Sequence, residues 1–249
     1  MQRFSNKVAL VTGAGSGIGK ASALRIAAES GSVFCVDLDQ PAVDATVQEI
    51  IKAGGTAMGH ICDVSREQDV IDCVKACVSH FGSLYALINM AGILRFDDYR
   101  ELQLAQWQRV LDVNLTGTML MCREALPSLI KSGGSIVNAA STSALSGLPC
   151  AAAYSASKGA VLAMTRTIAV DFAKLGVRAN CVCPGEINSG MTVDIEWPDS
   201  MDFDLLPRVL SLTGPKDPEA VSGVIAMLAS EDGIHITGED IRVDGGMLS

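Results

Sequence analysis

Val8-Ala9-Leu10-Val11-Thr12-Gly13-Ala14-Gly15-Ser16-Gly17-Ile18-Gly19 is a short apolar strand that runs into a glycine loop and then opens a helical pattern. Glycines permit the tight turn and let the backbone approach a pyrophosphate at the helix N-terminus. Turns use glycine everywhere, so the position between strand and helix is what points to a nucleotide. Farther out, short β-branched runs alternate with longer amphipathic stretches. Strands are predicted at Val8–Val11, Val33–Val36, Thr56–Ile61, Ala86–Ile88, Ser135–Asn138, Arg178–Val182 and Asp240–Val243. Helices are predicted near 18–30, 41–53, 66–81, 106–131, 152–175 and 217–230. This alternation predicts an α/β fold with a doubly wound parallel sheet, the Rossmann arrangement, because right-handed crossovers leave few other topologies. No linker, composition shift or internal repeat divides the chain, so residues 1–249 read as a single domain.

Two further groups give the loop a chemical meaning. Asp37 ends the second strand, about 20 residues beyond the glycines, where a carboxylate accepts hydrogen bonds from the adenosine ribose hydroxyls and repels a 2′-phosphate. Neither Ser16 nor Leu38 brings the positive charge that a phosphorylated ribose would want. The cofactor expected is therefore NAD. Tyr154 and Lys158 stand four residues apart in a helical stretch and so share one face. A free phenol has a pKa near 10 and is a poor base at neutral pH, whereas a cationic neighbour favours phenolate. Ser141 falls at the end of the fifth strand, within reach of the same place.

Composition removes several alternatives. There are 19 basic and 28 acidic residues, a formal net charge of −9, and aromatics make up only 4%. Such a chain lacks the basic face and stacking platforms that nucleic acids require. The longest uncharged stretch, Ser132–Ser157, is broken by Gly133, Gly134, Asn138 and Pro149 and does not read as a membrane span. Met1–Lys7 leads directly into the first strand rather than into a signal peptide. The eight cysteines read as reduced thiols, placing the protein in the cytoplasm. Cys73, Cys77 and His80 share a helix face but lack a fourth ligand, so no metal is expected.

The chain resembles the short-chain dehydrogenase/reductase family over nearly its whole length. The resemblance is carried in order by Gly13, Gly17 and Gly19, by Cys62-Asp63-Val64, by Asn89-Met90-Ala91-Gly92 and by Asp112-Val113-Asn114. It continues through Ser141, Tyr154 and Lys158, then Pro184-Gly185 and Val243-Asp244-Gly245-Gly246. It implies that Tyr154 is the general acid/base, that Lys158 binds the nicotinamide ribose and lowers the tyrosine pKa, that Ser141 holds the substrate oxygen, and that Asn114 anchors a water in the proton relay. It also implies cofactor contacts from Gly13, Ser16, Gly17, Ile18, Gly19 and Asp37, from Asp63 and Val64 near the adenine, and from Asn89, Ala91 and Gly92 beneath the cofactor. Pro184, Ile187 and Ser189 would meet the nicotinamide. Met90 stands where a second asparagine is usual, and Ser189 where threonine is common.

The expected activity is reversible hydride transfer between NAD(H) and a secondary alcohol or ketone. The alternatives are a 3-oxoacyl-carrier-protein reductase and a non-catalytic dinucleotide-binding regulator, the latter disfavoured by the intact Asn114, Ser141, Tyr154 and Lys158. Residues 186–215 have no clean period and are expected to form a substrate lid. Between Arg178 and Arg208 this stretch holds Glu186, Asp194, Glu196, Asp199, Asp202 and Asp204 but no lysine or arginine. An acidic mouth favours a small neutral alcohol or ketone over an acidic carrier protein. Two helices, with Trp107, Leu111, Leu115, Met119 and Met121 in one and Val161, Met164, Ile168 and Phe172 in the other, are apolar on more than one side. With the family resemblance, this predicts a homotetramer.

Overall fold

The computed structural model describes residues 2–192 and 195–249. Seven strands form one parallel sheet: β1 (Val8–Thr12), β2 (Ser32–Asp37), β3 (Thr56–Ile61), β4 (Ala86–Asn89), β5 (Ser135–Ala139), β6 (Arg178–Pro184) and β7 (Asp240–Val243). Their spatial order is β3-β2-β1-β4-β5-β6-β7. The order reverses between β1 and β4, and the crevice outside the carboxyl ends of those strands is where a doubly wound sheet binds ligands.

The helices are α1 (Gly17–Ala28), α2 (Gln40–Lys52), α3 (Glu67–Phe81), α4 (Leu104–Leu111), α5 (Gly117–Ser132), α6 (Ala152–Phe172) and α7 (Glu219–Ala229). Alternate strand residues feed opposite cores. Val8 and Leu10 of β1 pack beneath α3 and α5, whereas Ala9 and Val11 pack beneath α1, α2 and α7. Both faces of the sheet are thus covered, which is why the inner strands are written as unbroken apolar runs.

One expectation needs correction. The predicted helix over 106–131 is two helices joined by a π turn, Asp112–Thr116, in which the Gly117 amide reaches back to the Asp112 carbonyl. The extra residue turns Asn114 inward, where it is fully buried. The nine apolar residues of the two long helices are also largely used within the chain. Met121 and Val161 are buried, Met119 is exposed, and Leu115, Ile168 and Phe172 are half-buried against the core. Cys73 and Cys77 are likewise core residues.

Beyond β6, the chain makes short 3₁₀ turns at Gly190–Thr192 and Phe203–Val209 and is tied to the body by a bridge between Ile187 and Lys216. Asp194 lies outside the described residues. Among the described residues, no helix is long and apolar enough to cross a membrane.

Candidate active site

The glycine loop fills the crevice at the sheet's switch point with backbone alone. Gly13 and Gly17 have φ of +68° and +52°, and a Cβ on Gly13 would lie 2.9 Å from the Ala91 nitrogen. At Gly19 a Cβ would stand 2.0 Å from the Gly13 carbonyl oxygen, so only glycine lets α1 begin so close to the turn. Ser16 leaves the first turn of α1 without a side-chain cap, and no acid occupies that turn. The orphan N–H groups and the positive end of a 12-residue helix are left for an anion. Asp37 closes over the loop: its Oδ2 accepts from the Gly15 amide at 2.9 Å and its Oδ1 from the Leu38 amide at 2.7 Å.

On the β4 side, the Thr12 hydroxyl accepts from the amides of Met90 and Ala91, both at 3.1 Å, so Met90 keeps its backbone place although its side chain is not an amide. Burial works against ionisation of Asp63, but the hydroxyl and amide of Ser65 and the nearby Arg109 and Arg66 outweigh it and hold the carboxyl below its usual range. Asp63, Val64, Ala91, Gly92, Pro184, Ile187 and Ser189 all line the cleft, as do Ser16, Ile18 and the loop glycines Gly13, Gly17 and Gly19. A Cβ on Gly17 would come within 3.4 Å of the Ser189 Cβ, bringing the chain after β6 against the glycine loop. Asn89 departs from expectation. It is absent from the cleft wall and donates to Asn138 Oδ1 at 2.8 Å, tying β4 to β5 inside the core. The uncapped helix, the glycine cradle and the fixed carboxylate together suit a dinucleotide.

Tyr154 and Lys158 lie one turn apart on α6, 8% and 4% exposed. Lys158 Nζ donates to the Ala139 carbonyl at 2.7 Å and sits 5.7 Å from the centre of the Tyr154 ring. Burial pushes the ammonium down to about 8. Burial raises the Tyr154 phenol, and the hydrogen bond from Ser141 opposes it. In the protein alone, then, the tyrosine is held above its ordinary value, contrary to the lowering that the sequence implied. Asn114 does not face the cleft. Its side chain accepts from the Ile93 amide at 2.8 Å and donates to the Ile93 carbonyl at 2.9 Å and to the Ser157 hydroxyl at 3.1 Å. It clamps the irregular segment after β4 onto α6, with Gly92 leaving room between Asn114 and Lys158.

The outer wall was not read from sequence. Phe96, in the loop after β4, meets Trp197 with ring centres 4.3 Å apart, and Trp197 meets Phe203 at 5.9 Å. Leu94, Leu148, Ile195 and Leu206 continue the apolar lining of a cleft of about 690 Å³, with Leu94, Phe96 and Leu148 packed against the cluster that holds Tyr154. Glu196, Asp199, Asp202 and Asp204 are exposed, whereas Glu186 lines the cleft and accepts from the Ser211 amide at 3.2 Å. The segment thus turns Ile195, Trp197 and Leu206 to the cleft, while its outer surface carries these acids together with exposed Phe203, Leu205, Leu210 and Leu212. Aromatic pairing between two irregular loops leaves no periodic signal to find.

Similar proteins agree with this geometry. Residues 13–248 match the family described as enoyl-(acyl carrier protein) reductase. A cyclohexanol dehydrogenase from Acinetobacter sp. (strain SE19) is 36% identical over 249 residues, covering 99% of this chain and 97% of that protein. A meso-2,3-butanediol dehydrogenase from Serratia marcescens is 38% identical over 98% of this chain and 95% of its own length. A 3-oxoacyl-[acyl-carrier-protein] reductase from Synechocystis sp. (strain ATCC 27184 / PCC 6803 / Kazusa) is 38% identical over 100% and 99%. Among solved structures, a dehydrogenase/reductase from Sinorhizobium meliloti 1021 superposes with a TM-score of 0.90 at 31% identity, covering 99% of this chain and 96% of that one. The nucleotide cradle, the buried Ser141, Tyr154 and Lys158 and these relatives make the chain a member of the short-chain dehydrogenase/reductase family, whose dehydrogenases use nicotinamide dinucleotides.

Proposed function

We propose that this protein interconverts a neutral secondary alcohol and a ketone with NAD(H), acting as a homotetramer in the cytoplasm. The observation that carries this reading is the meeting of Ser141, Tyr154 and Lys158 in one cleft with the glycine loop and Asp37. When bound, the nicotinamide accepts or supplies the hydride. The chain supplies orientation and proton handling. The Ser141 hydroxyl holds the substrate oxygen, and Tyr154 Oη takes the alcohol's proton during oxidation and returns it during reduction. Lys158 stabilises the phenolate through charge, and Asn114 keeps α6 and the chain after β4 in register around them. The Asp37 carboxylate, already oriented by two backbone amides, supports NAD over NADP. Eight free cysteines, seven of them buried, suit a reducing compartment.

The carrier-protein reading is favoured by the Synechocystis relative and by the family description. The acids on the outer face of residues 186–215 oppose it, because an acidic carrier would meet like charge at the mouth. One assay separates the readings. Neutral ketones and a 3-oxoacyl thioester on carrier protein are reduced with NADH and with NADPH, at low and high salt. Efficient reduction of the neutral ketones with NADH is expected. Preference for the carrier-bound thioester, weakened by salt, would overturn the proposal. Absence of turnover despite NAD binding would favour a regulator.

A further inference from the structure

The sheet face that α6 covers carries a run of buried polar side chains: Asn89 of β4, Asn138 of β5 and Thr165 of α6. They are joined end to end. Asn89 Nδ2 donates to Asn138 Oδ1 at 2.8 Å, which occupies that oxygen and leaves Asn138 Nδ2 to donate to Thr165 Oγ1 at 2.9 Å. The Thr165 hydroxyl gives its own proton to the Val161 carbonyl at 2.7 Å and accepts a second bond from the Cys181 thiol of β6 at 3.2 Å. One donated and two accepted bonds saturate it. Hydrocarbon at these positions would hold α6 on the sheet about as firmly, because replacing both partners of a buried hydrogen bond by apolar groups is nearly neutral. What a satisfied polar network adds is a single register.

The same helix face carries the reacting groups. Lys158 stands seven residues before Thr165, two turns along α6, and its Nζ meets the carbonyl of Ala139, the residue after Asn138. Ser141 follows two residues on. A single stretch of chain therefore presents Ser141 and holds α6 at two points, Asn138 and Ala139. We infer that Asn138 and Thr165 are positioning residues: their hydrogen bond sets the register of α6 against β5, and so the place of Tyr154 and Lys158 relative to Ser141. This inference rests on the alcohol–ketone reading. Neither side chain lines the cleft, so the effect falls on the geometry of the chemical step and not on binding. Misplacing reacting groups by about 1 Å costs about a hundredfold in rate.

Oxidation of cyclohexanol and of butane-2,3-diol with NAD is compared in the wild type, Thr165→Val, Thr165→Ser and the pair Asn138→Leu with Thr165→Val. Thr165→Val keeps the shape but deletes the hydroxyl. Its kcat should fall about tenfold to a hundredfold, while KM for the alcohol and Kd for NAD stay within about twofold. Thr165→Ser keeps the hydroxyl and should restore most of kcat. In the double variant both partners are hydrocarbon, so Tm should return close to the wild-type value while kcat stays low, which separates register from stability. Wild-type kcat in Thr165→Val would overturn the inference, as would a loss shared equally by kcat, KM and Kd. So would a serine variant without rescue, or a double variant that recovers kcat along with Tm. Crystal structures of the wild type and Thr165→Val add a readout independent of turnover. The distance from Lys158 Nζ to the Ala139 carbonyl should lengthen beyond about 3.5 Å in the variant, and an unchanged bond would overturn the inference. If the wild type oxidises neither alcohol, the alcohol–ketone reading fails, and the two crystal structures alone decide the register.

Discussion

The inner and outer walls of the cleft are held together by different means. The inner wall is a matter of backbone: at Gly19 even one added carbon would lie 2.0 Å from a carbonyl oxygen, and at Gly13 it would lie 2.9 Å from a backbone nitrogen. The outer wall is a matter of side chains, with Trp197 laid against Phe96 and Phe203 between two irregular segments. Backbone contact of the first kind admits one residue type. Apolar contact of the second kind admits any side chain of suitable bulk at modest cost. The inner wall therefore suits a ligand that never changes, and the outer wall is where a substrate would be selected. Between them stand Ser141, Tyr154 and Lys158, the groups proposed to handle the proton.

Removing the proton mover should separate chemistry from binding most sharply. Tyr154→Phe keeps the ring in its buried place but deletes the donor, so turnover should fall by about a thousandfold, within the usual range for general acid–base catalysis. NAD binding, followed by fluorescence titration, should survive. Turnover near the wild-type rate would remove Tyr154 from the proton path.

The inner wall is sharpened by exchanging its charge. Asp37→Ala with Leu38→Arg removes a carboxylate that repels a 2′-phosphate and adds a guanidinium that can pair with one. The ratio of kcat/KM for NADP to that for NAD should rise by about a hundredfold, each change being worth roughly 1–2 kcal/mol. Wild-type kcat/KM with NADP equal to or better than with NAD would contradict the role of Asp37.

Acidity supplies a third test, at the junction of the walls. Lys158 is pushed down to about 8 and Tyr154 up from its usual value. The productive pair for oxidation, phenolate with ammonium, carries the same number of protons as phenol with amine, so both are populated in one pH window. That window opens as pH rises through about 8, where the first proton leaves the pair, and closes above the raised tyrosine value. Below it the pair holds both protons, and kcat/KM for alcohol oxidation should drop about tenfold per pH unit. Ketone reduction, which needs the phenol beside the ammonium, should decline on the alkaline side of the same value. Lys158→Met should carry the oxidation limb toward the tyrosine's own pKa. A flat profile between pH 6.5 and 8 would break the pairing.

The difference between the walls also explains how far the sequence could be read. Strand and helix alternation located all seven strands, β3 and β7 at the expected bounds and the other five one or two residues longer, as where β6 runs on to Pro184. The glycines, Asp37, Tyr154 and Lys158 were legible because their chemistry restricts residue type at fixed spacing. Asn89 misled because an asparagine at a strand end can face the cofactor or the neighbouring strand, and its side chain went to Asn138. The π turn around Asn114 was hidden because apolar spacing runs through it unchanged, and only the tertiary demand of the Ile93 backbone draws the extra residue inward.

The outer wall should yield the smallest effect. Trp197 is half-buried and lines the cleft. Trp197→Ala removes aromatic surface facing a bound hydrocarbon body and unpairs Phe96, an aromatic contact worth about 0.5–1.5 kcal/mol beyond area. KM for cyclohexanol should rise about fivefold to tenfold, with kcat nearly unchanged, because the ring binds ground state and transition state alike. Propan-2-ol, with no hydrocarbon ring to lay against the aromatic surface, should be nearly indifferent, so the ratio of kcat/KM for the two alcohols falls. Phe96→Ala should produce much the same change, and the double variant little more than either alone, since the two rings act as one surface. An equal loss on both alcohols, or a loss in kcat, would mean that Trp197 holds the reacting groups rather than the substrate, and the contrast between a fixed inner wall and a selective outer one would fail.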